Sequence, residues 1–142
     1  MRHAVFLCLA LLAPFGSAPA QAETVTYTAV LNAASEVPPT GTNGSGHVTA
    51  TFDTATKALT YKADYAGLTG PATMAHFHAP APVGKNAGVA VPITGSLASP
   101  IEGKATLTDE QAKALMDGQM YFNVHTEAHK GGEIRGQLAK GS

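Results

Sequence analysis

Gly46-His47-Val48-Thr49-Ala50-Thr51-Phe52 and Leu59-Thr60-Tyr61-Lys62-Ala63-Asp64-Tyr65 decide the fold, with Asp53-Thr54-Ala55-Thr56-Lys57 between them. In the first run Val48, Ala50 and Phe52 alternate with His47, Thr49 and Thr51. In the second, Leu59, Tyr61, Ala63 and Tyr65 alternate with Thr60, Lys62 and Asp64. A period of two puts one set on a buried face and the other in water. The polar segment between them reads as a turn, so the unit is a β-hairpin. Outward from it the pattern recurs in short runs: Val25–Leu31, Thr73–His78, Val89–Ile93, Gly103–Leu107, Met120–Thr126 and Glu133–Leu138. Short strands broken by 15 Gly and 9 Pro imply an all-β, Greek-key β-sandwich or barrel.

One helix interrupts the strands. Thr108-Asp109-Glu110-Gln111 is a capping box, with Thr108 as N-cap and Gln111 reaching back to it. Asp109 and Glu110 suit the positive end of the helix dipole. Ala112, Leu115 and Met116 form the apolar stripe, and Gly118 is the stop.

The front of the chain has the form of an export signal. Arg2 precedes the apolar run Ala4 to Leu12, and Ala20-Gln21-Ala22 is a small-x-small cleavage site. Residues 1–22 are therefore expected to be a signal peptide and 23–142 the mature domain, periplasmic or secreted. Cleavage removes Cys8, the single cysteine, which reads as an apolar residue of the signal and not as a lipid-attachment site. Disulfides and thiolate ligands are then excluded. About 120 residues suffice for one domain with one core. The formal net charge of −1 and the lack of a basic cluster exclude nucleic acid as a partner. No later run is long enough to span a membrane.

Chemistry concentrates at His76-Phe77-His78. In a strand, residues i and i+2 point to one side, so both imidazoles can approach one point. The run Tyr121-Phe122-Asn123-Val124-His125-Thr126 offers a third histidine. If the chain folds back symmetrically through Gly131-Gly132, His125 lies opposite Glu133 and Asn123 opposite Arg135. His76, His78, His125 and Glu133 are then candidate metal ligands, with Glu36 a further candidate. Asn123 and Arg135 would support them. Glu133 would ligate, or accept the free N–H of His125, and Arg135 would pair with Glu133 or Glu36. His47 and His129 read as solvated residues. Met74, Met116 and Met120 read as core fillers, with a soft Cu(I) ligand as the alternative. The loop Pro80–Gly88 follows the double histidine and is expected to wall the site.

Together Glu36-Val37-Pro38-Pro39, Ala75-His76-Phe77-His78-Ala79-Pro80-Ala81, Tyr121-Phe122-Asn123-Val124-His125-Thr126 and Gly131-Gly132-Glu133-Ile134-Arg135-Gly136-Gln137 resemble the chordin-type (CHRD) domain. The resemblance spans nearly all of the expected mature chain and has the form of an exported, bacterial, single-domain member. Phe77 and Ala79 depart from the family's usual residues without removing a ligand candidate. The family's motif positions fall on Glu36, His76, His78, Asn123, His125, Glu133 and Arg135. The resemblance implies an extracellular β-rich module and no settled activity. His-x-His is also similar to the strand that supplies two copper ligands in copper-zinc superoxide dismutases. A superoxide-dismutase-like or immunoglobulin-like arrangement is therefore expected. A bridging-histidine loop and a cysteine pair are missing, so dismutation is not implied.

The expectation is an exported metal-binding β-domain, for copper with zinc as the alternative, serving binding, storage or delivery and not catalysis. Copper is favoured by its availability outside the cytoplasm and by the affinity order of divalent ions. Two other readings stay open. One is a metal-free structural or interaction module, in which exposed sheet edges pair with an exported partner or a second copy. The other is an enzyme, either a copper redox enzyme or a hydrolase, working at an open metal position.

Overall fold

The computed structural model describes residues 21–141. The expected signal peptide lies outside the described residues except for its last two. Ten elements precede a short closing strand: β1 (Thr24–Asn32), a 3₁₀ turn (Ala33–Ser35), β2 (Ser45–Asp53), β3 (Ala58–Ala66), β4 (Ala72–His78), β5 (Val89–Pro92), β6 (Ile101–Thr106), α1 (Asp109–Met116), β7 (Tyr121–Thr126), β8 (Ile134–Gln137) and β9 (Ala139–Lys140).

The hairpin forms as the alternation requires. β2 and β3 pair antiparallel, with Phe52 opposite Leu59, Ala50 opposite Tyr61 and Val48 opposite Ala63. All six are buried. Asp53 Oδ1 closes the turn by accepting from Ala55 N and Thr56 N at 2.9 and 2.8 Å. The sheet continues in the order β5-β4-β7-β8-β1-β2-β3-β6, with β9 paired to β1, and curls almost into a barrel. The joins β3–β6, β4–β7 and β8–β1 link strands distant in sequence. The fold class is the expected all-β sandwich or barrel with one helix.

The core fills the space inside the curl. Phe77 of β4 meets Tyr61 of β3 edge-on, with ring centroids 5.1 Å apart, and Phe122 of β7 at 4.8 Å. Each such fully buried side chain contributes about 2 kcal/mol by leaving water. The helix caps the core as its box predicts. Thr108 Oγ1 accepts from Gln111 N, and Gln111 Oε1 accepts from Thr108 N. Gln111 Nε2 also donates to Ala90 O at 2.8 Å, docking the helix on β5. Gly118 takes φ 70° at the stop.

Several expectations need correction. The helix buries Ala112, Ala114 and Leu115, while Met116 is 54% exposed. Met120 is core, but Met74 is 43% exposed. Hydropathy alone assigned both exposed methionines inward. β6 starts at Ile101, which packs opposite Ala63, and Leu107 leaves the ladder to enter the core. The 3₁₀ turn was unforeseen; Asn32 caps it by accepting from Ser35 N. β9 is too short to show alternation. No described helix is long and apolar enough to cross a membrane.

Candidate metal centre

The histidines lie on the outer side of the strands β4, β7 and β8. Register places Met74 opposite His125, His76 opposite Asn123, and His78 opposite Tyr121. On the far side of β7, Asn123 faces Arg135 and Tyr121 faces Gln137. The expected Asn123–Arg135 pairing is therefore present. The intervening residues Ala75, Phe77, Phe122, Val124 and Ile134 point the other way, into the core.

This outer side is roofed by the loop of residues 79–88. Arg135 Nη1 donates to Asn86 Oδ1 at 2.9 Å, and Nη2 donates to Lys85 O. Gln137 Nε2 donates to Ala81 O, and Ala87 N donates to Tyr121 Oη. The Tyr121 ring stacks with His78 from the β4 side, 4.7 Å between centroids and 6° between planes. The Arg135 guanidinium lies 3.3 Å from the same ring's centroid. His78 and Arg135 are buried against this loop, and Asn123 and His125 are buried beside them, His125 against the Lys130 carbonyl. The loop walls the site as expected.

His76, His78 and His125 come together, their ligand nitrogens all within 4.8 Å of one another. The hydrogen bonds define which ring nitrogens face inward. His78 Nδ1 lies 3.0 Å from Ala87 O, and His125 Nδ1 lies 2.9 Å from Lys130 O. A carbonyl only accepts, so each Nδ1 carries the hydrogen and donates it. In the neutral rings the lone pairs then sit on the two Nε2 atoms. Both point at Asn123 Oδ1, at 3.1 and 2.9 Å. His76 Nδ1 lies 3.1 Å from His125 Nε2.

Electrostatics favour the neutral form of His76 and of His125. Burial, then repulsion from His125 and His78, pushes the His76 imidazole down to about 4. Burial also lowers His125; the Lys130 carbonyl opposes this and His78 adds to it. Neutral imidazoles are the form that ligates metal.

Glu36 stands behind the cluster. It is buried, and its Oε1 has no hydrogen-bond partner among the described residues. Burial raises its carboxyl above the usual range, against the Arg135 charge, the Asn123 amide and the Val37 N–H. The Asn123 amide nitrogen turns to this carboxylate, which leaves Oδ1 facing the histidines. Gly132 makes the approach possible. A Cβ there would fall 2.3 Å from Glu36 Oε1 and 2.6 Å from Asn123 Nδ2, and its φ is +122°.

Glu133 is not brought to the cluster. Its carboxylate accepts from Thr69 N at 2.9 Å, Thr69 Oγ1 at 2.7 Å and Thr126 Oγ1 at 2.6 Å. Burial would raise its carboxyl, but hydrogen bonds from Thr126, Thr69 and Thr42 hold it below the usual range. Glu133 sits in the bend before β8, so strand alternation does not govern its direction. The partner expected for His125, a carboxylate, is replaced by the Lys130 carbonyl. Arg135 has no carboxylate within ion-pair distance among the described residues; the loop takes its hydrogen bonds. His47 is exposed and His129 half-buried, both apart from the cluster. The two carbonyls that orient the rings were not anticipated, because any residue can supply one.

Residues 27–138 match the model of the CHRD domain, and the chain belongs to the CHRD domain family. No curated protein and no solved structure matches it.

Proposed function

We propose that this chain is an exported metal-binding β-domain that holds copper for storage or delivery. One observation carries the reading. Backbone carbonyls tie down the Nδ1–H of both His78 and His125, so two Nε2 lone pairs converge on Asn123 Oδ1 beside a third imidazole. Acceptors facing acceptors repel, and a cation at that point would satisfy all of them. Metal-bound histidines characteristically donate their other N–H in this way. His76, His78 and His125 are the ligands of this reading, and Asn123 is their supporting neighbour. Glu36 contributes negative charge behind the amide. Imidazole donors suit both copper and zinc, and the affinity order puts Cu(II) first. Export follows from the leader-like residues 1–22.

The test is titration of the protein beginning at Glu23 with Cu(I), Cu(II) and Zn(II), beside His76→Ala and His125→Ala. Stoichiometric binding that weakens by at least about a hundredfold in both variants is expected, as each removes a ligand. Equal binding by wild type and variants would sink the metal site. The cluster would then be a hydrogen-bonded tie between strands.

A further inference from the structure

We infer that Met74 supplies a thioether ligand that biases the histidine site towards Cu(I), an inference that rests on the metal-binding reading above. Met74 lies two residues before His76 on β4 and directly opposite His125 on β7. The one register shift in this pair falls between Ala72 and Met74, so the alternation is unbroken from Met74 to His78. Met74 therefore shares the outer side with His76 and His78. Directly opposed Cβ atoms lie within about 5.5 Å, so its side chain starts beside the His125 ring.

Packing gives no reason for a methionine there. Met74 is 43% exposed, while the core on the opposite side is filled by Ala75 and Phe77. An unbranched side chain with three rotatable bonds can swing its sulfur over the neighbouring imidazoles. The sulfur is neutral and soft. Thioethers favour Cu(I), whereas imidazole nitrogens serve copper and zinc alike. Three neutral nitrogens and one sulfur make a site that retains the reduced ion. Met116 is similarly exposed but lies on α1, not on the strands that carry the histidines, and serves as the control.

The experiment compares wild type, Met74→Leu and Met116→Leu in the chain beginning at Glu23. Leucine keeps the volume and the site is exposed, so the fold is retained. Cu(I) affinity is read by competition with a chromophoric chelator, Zn(II) affinity in parallel. X-ray absorption of the Cu(I) forms reads sulfur in the coordination shell. Met74→Leu is expected to lose Cu(I) affinity about tenfold or more while Zn(II) affinity stays within about twofold. The sulfur contribution disappears with it, and Met116→Leu behaves as wild type. Unchanged Cu(I) affinity in Met74→Leu, with no sulfur signal in wild type, overturns the thioether and leaves the histidine site standing. Failure of wild type to bind either ion overturns both.

Discussion

The two ends of this sheet share one inner surface and differ on the outer one. Across β2, β3 and β6 the outward residues are Thr49, Thr60, Lys62, Glu102 and Lys104, all exposed. Across β4, β7 and β8 His78, Tyr121, Asn123, His125 and Arg135 are buried, His76 and Gln137 half-buried, and Met74 exposed. Every residue of β7 is buried, with an apolar side inward and a polar side covered by the loop at Tyr121 and by the β7–β8 connection at His125. Polar groups in water interact weakly, because solvent competes for each hydrogen bond. Under a cover the same groups must satisfy one another, and burial drives His76 to about 4. What separates a wet sheet from a candidate site is the cover, not the strands.

The largest effect should come from detaching that cover. Arg135→Ala removes the stacking on Tyr121 and the hydrogen bonds to Asn86 and Lys85. A loss of about 3 kcal/mol in denaturant unfolding is expected. Gly132→Ala comes next, since its Cβ meets Glu36 and Asn123 and its backbone is strained for any side chain. We expect a loss of about 2 kcal/mol, together with weaker metal binding in the same preparation.

Acid probes the covered end without a mutation. The unfolded chain protonates His76 near 6.5, the folded chain only near 4. Between those values the unfolded state binds the extra proton, so stability falls as pH drops through the window and is flat above it. The metal-free protein should therefore melt lower at pH 5 than at pH 7. His76→Gln should shrink that difference; an unchanged difference would place the titration elsewhere. The smallest effect belongs to the wet end. Lys62→Ala breaks a 3.7 Å pair with Glu102 that is more than half exposed, and a change within about 0.5 kcal/mol is expected. A larger loss would erase the contrast between the two ends.

Much of the fold is readable in the sequence, because β2, β3 and β7 alternate strictly and the capping box at Thr108 is local. The histidine cluster is readable for the same reason: parity along β4 and β7 brings His76, His78 and His125 to one side. Glu133 misleads because parity holds only within a strand, and it lies one residue outside. Met74 misleads in the opposite sense. Its hydropathy says core, but its parity with His76 says outer side, and parity wins. The orienting carbonyls of Ala87 and Lys130 have no sequence signature, since the backbone is the same at every position. The Glu36 carboxylate was legible only as a motif position; its approach to Asn123 depends on the absent side chain at Gly132.

The loop that roofs β7 and β8 is held largely through its backbone. His78, Arg135 and Gln137 address the carbonyls of Ala87, Lys85 and Ala81, and only Asn86 contributes a side chain. Those three carbonyls would be offered by almost any residue in their place. The spacing between them would not survive the loss or gain of one. Natural or engineered variants of this segment should therefore tolerate changes of identity at Lys85 and Ala87 but only small residues at the buried Ala81, and few changes of length, with Asn86 the letter that must stay.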